Sequence, residues 1–150
     1  MRAVIQRVRH ASVTIDGKLF SEIGKGMLVL IGIEETDSQA DIDWLCGKLV
    51  KLRIFEDGDN AMNLSIMQVD GEFLIVSQFT LFATTKKGNR PGFTRAARPE
   101  TAIPLYEKFI ETLDTLYGKP SKTGVFGADM KVELLNDGPV TIVIDTKNAE

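Results

Sequence analysis

Gly26-Met27-Leu28-Val29-Leu30-Ile31-Gly32-Ile33 is a continuous apolar run, followed closely by the polar, helix-starting types Thr36-Asp37-Ser38-Gln39. A run this short, uncharged and rich in β-branched residues predicts a strand buried on both faces. Ile42, Leu45, Leu49 and Leu52 come next at helical spacing, with Asp41, Asp43, Lys48 and Lys51 among the outward-facing residues. The pattern predicts an amphipathic helix of about four turns, opened by a capping box of Thr36 and Gln39. Cys46 adjoins the apolar stripe and reads as a small core residue.

Toward the N-terminus, Val4, Val8, Val13 and Ile15 lie among polar residues, and Asp16-Gly17-Lys18 is a turn signal. Residues 2–23 therefore read as a hairpin. Toward the C-terminus, Asp57-Gly58-Asp59-Asn60 is a turn, and a hairpin around Asp70-Gly71 leads into a second buried strand, Glu72 to Phe79. The basic loop after it is 16–18 residues long, a length usually reserved for functional or disordered segments. Pro99 to Tyr117 predicts a second helix, with Leu105, Phe109, Leu113 and Leu116 inward and Gly118 as C-cap. Pro104 fits only in a first turn. Strands at Thr123–Phe126, Met130–Leu135 and Val140–Asp145 complete the order. The expectation is one α+β domain over residues 1–150, two amphipathic helices packed on a largely antiparallel or mixed β-sheet.

Hydrophobic residues make up 43% and charged residues 26%, as in ordinary soluble proteins. No apolar run approaches the roughly 20 residues that span a membrane, and Met1 to Arg7 lacks a signal-peptide core. With the lone Cys46, which fits a reducing compartment, this predicts a cytosolic protein. His10 and Cys46 are the only soft metal ligands, so a zinc site is not expected. Carboxylates are numerous enough to leave magnesium open.

The net charge is −3, but it is unevenly placed. Arg2, Arg7 and Arg9 lie in one acid-free stretch, and Lys86, Lys87, Arg90, Arg95 and Arg98 in another that also holds Phe93. Those eight aside, ten basic residues face 21 acids. A local basic loop on an acidic body suits a locally bound polyanion, or is simply a solvated loop.

Two segments carry the chemistry: Ser77-Gln78-Phe79-Thr80, closing one strand, and Asn136-Asp137-Gly138-Pro139-Val140-Thr141, opening another. Ser77 lacks the Gly-x-Ser-x-Gly elbow, and Thr80 has no base nominated beside it. Backbone N–H groups at the strand end, aimed at an oxyanion, suit ester or amide hydrolysis better. Ser77 and Thr80 could equally just satisfy the strand's terminal groups. Gly138-Pro139 reads as a turn dipeptide in isolation. Neither a Walker loop nor a dinucleotide fingerprint is present, so no nucleotide cofactor is expected.

Taken together, Met1-Arg2-Ala3-Val4-Ile5-Gln6-Arg7-Val8, Ser77-Gln78-Phe79-Thr80-Leu81, Gly88-Asn89-Arg90-Pro91-Gly92-Phe93 and Asn136-Asp137-Gly138-Pro139-Val140-Thr141 closely resemble the D-aminoacyl-tRNA deacylase family. The resemblance runs from Met1 to about Asp145. It implies a cofactor-free, cytosolic homodimer with shared active sites that hydrolyses the ester between a D-amino acid, or glycine, and tRNA. It implies a catalytic floor of Ser77, Gln78, Phe79 and Thr80. It makes Gly138 and Pro139, within the motif that holds Asn136 and Thr141, a cis-peptide chiral filter reaching the other subunit's pocket. Lys86, Lys87, Arg90 and Arg95 become candidate tRNA contacts. Two mechanisms stay open: a ribose hydroxyl of the RNA assists water, or Thr80 attacks the ester.

Overall fold

The computed structural model describes residues 1–150. The chain begins with the expected hairpin, β1 (Arg2–Ile15) and β2 (Lys18–Ile23), turning at Asp16 and Gly17, both at positive φ. The apolar run forms β3 (Gly26–Gly32), buried along nearly its whole length. It lies antiparallel to β1 and parallel to β6 (Glu72–Ser77). Between them come α1 (Gln39–Lys51) and a small ribbon of β4 (Phe55–Glu56) and β5 (Met62–Leu64). After β6 follow a four-residue 3₁₀ turn (Phe79–Phe82), α2 (Pro99–Tyr117), β7 (Lys122–Thr123) and β8 (Met130–Asp145).

The main sheet runs β2-β1-β3-β6-β7, with β8 on the free side of β1. It is mixed, and it curls until the Ser21 hydroxyl on β2 donates to the Thr123 carbonyl on β7 at 2.7 Å. One face packs on the two helices through Ile5, Val29, Ile31, Ile42, Leu45 and Phe109. The other closes over a smaller core of Val8, Val13, Leu28 and Leu74. The result is a single α+β domain with a nearly barrel-like sheet.

Local details depart from expectation in instructive ways. Helix α1 is opened by Ser38, whose N–H donates to the Asp41 carboxylate at 2.9 Å, not by Thr36 and Gln39. Asp41 is therefore buried rather than outward. Burial pushes its carboxyl up, but hydrogen bonds from Thr146, Lys147 and the Ser38 amide outweigh that and hold it well below the usual carboxylate range. Asp37 is claimed elsewhere: its carboxylate takes the ammonium of Met1 at 2.5 Å, both fully buried. Cys46 is in the core as expected, its thiol pushed up to about 12 by burial, with Asp43 and Asp114 adding to the effect.

Asp70-Gly71 does not head a hairpin, because β5 pairs with β4 and β6 runs parallel to β3. Helix α2 buries Ala102, Tyr106, Phe109 and Leu113, while Leu116 is exposed. Pro104 lies inside this helix, past the first turn, where proline costs about 3 kcal/mol. Full burial of Phe109 and Leu113 offsets that at roughly 1.5–3 kcal/mol each. The ring sits on the exposed side. Glu35 caps the helix from outside, accepting from the Arg98 N–H and the Thr101 hydroxyl at 2.8 Å each.

Candidate active site

Strand β6 ends at Ser77, two residues short of expectation, with the Gln78 N–H making a last bond to the Ile31 carbonyl at 2.7 Å. The chain then tightens into the 3₁₀ turn. The first amides of a helical turn have no partner inside it, and the N–H groups of Phe79 and Thr80 find no acceptor elsewhere in the protein. Phe79 lines a cavity of about 330 Å³ together with Ile33, Ser77, Gln78, Phe126 and Met130 among others, and Thr80 follows it in the turn just outside that lining. The one ionisable side chain of that lining, Asp129, is paired with Lys131 at 2.9 Å in solvent.

The Thr80 hydroxyl has no base either. Its oxygen accepts from the Gln78 carboxamide at 2.5 Å. The only histidine, His10, sits on β1 opposite Leu135 and outside the lining. This pocket therefore offers donors to a developing negative charge but no activated side-chain nucleophile.

The second segment is not a turn between two strands. β8 runs unbroken, with Thr141 opposite Gln6 and Asn136 opposite Val8. Four residues, Asp137 to Val140, thus face the single Arg7, and the excess is thrown out as a bulge with Gly138 and Pro139 exposed and their peptide bond cis. The flanks pair with one continuous neighbour, which is why turn residues here make a bulge. Side chains replace the lost ladder bonds. The Asn136 carboxamide donates to the carbonyls of Arg7 and Val140 at 3.1 and 3.0 Å, and Gln6 donates to the Thr141 hydroxyl at 3.1 Å.

Beneath the bulge lies Arg7, which the sequence placed only among the basic residues of an acid-free stretch. Its guanidinium is buried and donates to the Asp137 and Ile54 carbonyls at 2.7 Å each. The signal was available: Arg7 shares strand parity with Ala3 and Ile5, the buried face of β1. Within one chain, none of Asn136 to Thr141 lines the cavity at Ser77.

Comparison with known proteins decides the family. The sequence profile described as D-Tyr-tRNA(Tyr) deacylase matches residues 4–145. The chain belongs to the D-Tyr-tRNA deacylase family. Over its full length it is 66% identical to the D-aminoacyl-tRNA deacylase of Bacteroides fragilis and 59% identical to that of Flavobacterium johnsoniae, each also covered completely. A solved structure described as a c-Myc DNA unwinding element binding protein superposes with a TM-score of 0.92 at 44% identity, covering 97% of this chain and 98% of that one. A probable eukaryotic D-amino acid tRNA deacylase shares the fold, with a TM-score of 0.81 at 18% identity over 95% and 97% of the two chains. This deacylase is thus a hydrolase acting on aminoacyl-tRNA.

The deacylase's basic loop is more ordered than its length implied. Thr84 and Gly92 exchange two backbone bonds, 2.8 and 2.9 Å, closing a hairpin-like tip that exposes Lys86, Lys87 and Arg90. Arg95 is different. It pairs with Glu34 at 3.4 Å and lies 5.4 Å over the Phe82 ring. No helix of the deacylase is long and apolar enough to cross a membrane.

Proposed function

We propose that the protein clears D-amino acids and glycine from tRNA, rejecting L-aminoacyl-tRNA, by backbone catalysis at Phe79 and Thr80. The observation that supports this most is the pair of unpartnered amides in the turn that borders a cavity without a base, Phe79 lining it and Thr80 next in the chain. Water adds to the ester carbonyl carbon, the two N–H groups hold the resulting oxyanion, and collapse expels the ribose oxygen. Such donors contribute about 3–4 kcal/mol each where charge develops. The neighbouring ribose hydroxyl supplies the proton handling that this pocket's side chains lack. The apolar cavity, of a size typical for small ligands, accommodates the aminoacyl-adenosine end.

Gly138 and Pro139 form the chiral wall in this reading. An L side chain points where a D-amino acid presents only hydrogen, so a fixed wall rejects L without gripping D. Glycine has nothing to exclude. The wall reaches the cavity from a second copy, in a cytosolic homodimer. Support comes from β8, whose outer edge is unpaired along 16 residues and exposes Leu135 and Val143. Edges of that kind are ordinarily covered.

The test is a comparison of D-Tyr-tRNA, L-Tyr-tRNA, Gly-tRNA and D-Tyr ethyl ester as substrates. Only the first and third should be cleaved; hydrolysis of the ethyl ester at a matching rate would refute the RNA's part. Thr80→Ala keeps the amide, so its rate should fall at most about tenfold, ~1.4 kcal/mol. A loss beyond about a thousandfold in a folded variant would mean that the hydroxyl attacks. Reversing Lys86 and Lys87 to Glu should raise KM for charged tRNA, leave the D/L ratio alone, and flatten the salt dependence by about one to two units of slope. An unchanged slope would mark the tip as merely solvated.

A further inference from the structure

We infer that Phe93 is a positioning residue for the reaction: its ring holds Phe79 and so ties the RNA-facing loop to the two catalytic amides. The inference rests on the reading of those amides given above. The 3₁₀ turn that carries them is only four residues long, and no side chain caps it at Gln78. A single turn has little stability of its own, so its shape must be imposed by neighbours.

Three side chains grip it, two of them from the segment just beyond the basic tip. The Phe93 ring meets Phe79 edge to face, centroids 5.1 Å apart with 77° between planes. Phe79 is otherwise 56% exposed. Two residues on, Arg95 lies 5.4 Å over Phe82, the last residue of the turn, and is anchored to Glu34. From the opposite direction Arg2 lies 4.6 Å over the same ring and donates to the Leu81 carbonyl at 2.9 Å. Each aromatic of the turn is thus held by residues 93–95 or by β1.

The connection to the loop is short. Phe93 directly follows Gly92, whose two bonds to Thr84 close the tip bearing Lys86, Lys87 and Arg90. Phosphates held by that tip bear on Gly92, then on the Phe93 ring, then on the Phe79 amide. Arg95, engaged by Glu34 and Phe82, serves in this arrangement as a brace. An exposed aromatic in a basic loop also suits base stacking, but Phe93 is half-buried with its ring committed to Phe79.

The test compares Phe93→Leu and Phe93→Met, which keep apolar bulk, with Phe93→Tyr, which keeps the ring. Steady-state kinetics on D-Tyr-tRNA are read beside the ¹⁵N amide resonances of Phe79 and Thr80. For the Leu and Met variants kcat should fall by about tenfold, the upper range for loss of an aromatic pair, with KM within about twofold and both resonances displaced. The Tyr variant should restore kcat. Unmoved amides would overturn the proposal outright, as would a raised KM at normal kcat, which would make Phe93 an RNA contact. Displaced amides with normal kcat would overturn it by removing the amide reading on which it rests.

Discussion

Gly138→Ala should slow D-Tyr-tRNA hydrolysis by about 5- to 150-fold and change the D/L ratio. A Cβ at this position would stand 2.5 Å from the Asn136 carboxamide oxygen and closer still to the Val140 nitrogen. A backbone nitrogen cannot swing aside, so the bulge itself must move. Relieving such overlap costs about 1–3 kcal/mol. If the wall must return to its original place for each productive encounter, the same energy reappears in the barrier, hence the range given. Gly47→Ala is the matched control, since a Cβ there meets nothing within 4 Å. Single-turnover deacylation of D- and L-Tyr-tRNA by both variants reads the effect. Normal rates and ratio in the Gly138 variant would remove the bulge from the mechanism.

Asp37→Asn should lower stability by about 3–5 kcal/mol, the usual cost of leaving one partner of a buried ion pair alone. The substitution isolates charge. A carboxamide oxygen can still accept the Glu34 N–H, now bonded at 2.9 Å to the carboxylate, while the fully buried Met1 ammonium loses its counter-ion. At about 2–4 °C per kcal/mol for a chain of this size, the midpoint of thermal unfolding should drop by roughly 6–20 °C. Calorimetry at neutral pH measures it. A drop of under about 2 °C would show that the Thr146 hydroxyl, 2.9 Å from the same ammonium, or water holds it without the carboxylate.

The sequence disclosed elements where one force dominates. Gly26 to Gly32 was legible as an unbroken apolar run and Pro99 to Tyr117 as an apolar stripe, because burial sets both patterns. The start of α1 was misplaced because Thr36 to Gln39 and Ser38 to Asp41 are overlapping capping patterns; Asp41 won through Thr146 and Lys147, more than 100 residues away. Leu116 was assigned inward on spacing, yet its neighbour Tyr117 packs on the core instead, its ring edge to face with Phe73 at 5.3 Å. For the candidate site, the motifs were legible and their geometry was not. Backbone donors at the end of β6 were expected, but the four-against-one bulge and the Phe79–Phe93 contact depend on pairing between segments apart in sequence, which no local pattern encodes. Arg7 was missed as well, although it shares strand parity with the buried Ala3 and Ile5.

The β1–β8 ladder also sets a timetable. It joins Arg2 to Asp145 and Ile15 to Met130, the first and last strands of the chain. Contacts this remote in sequence form slowly, and during synthesis they cannot form at all until the last strand exists. At about 5–20 residues per second, the 115 residues from Ile15 to Met130 take roughly 6–23 s to be made. Throughout that interval β1 can pair with β2 and β3 while its other edge waits open. The bulge that carries Gly138 and Pro139 is defined only against Arg7 on that waiting edge. A nascent chain can therefore assemble the turn at Phe79 well before the proposed chiral wall has a strand to be built against.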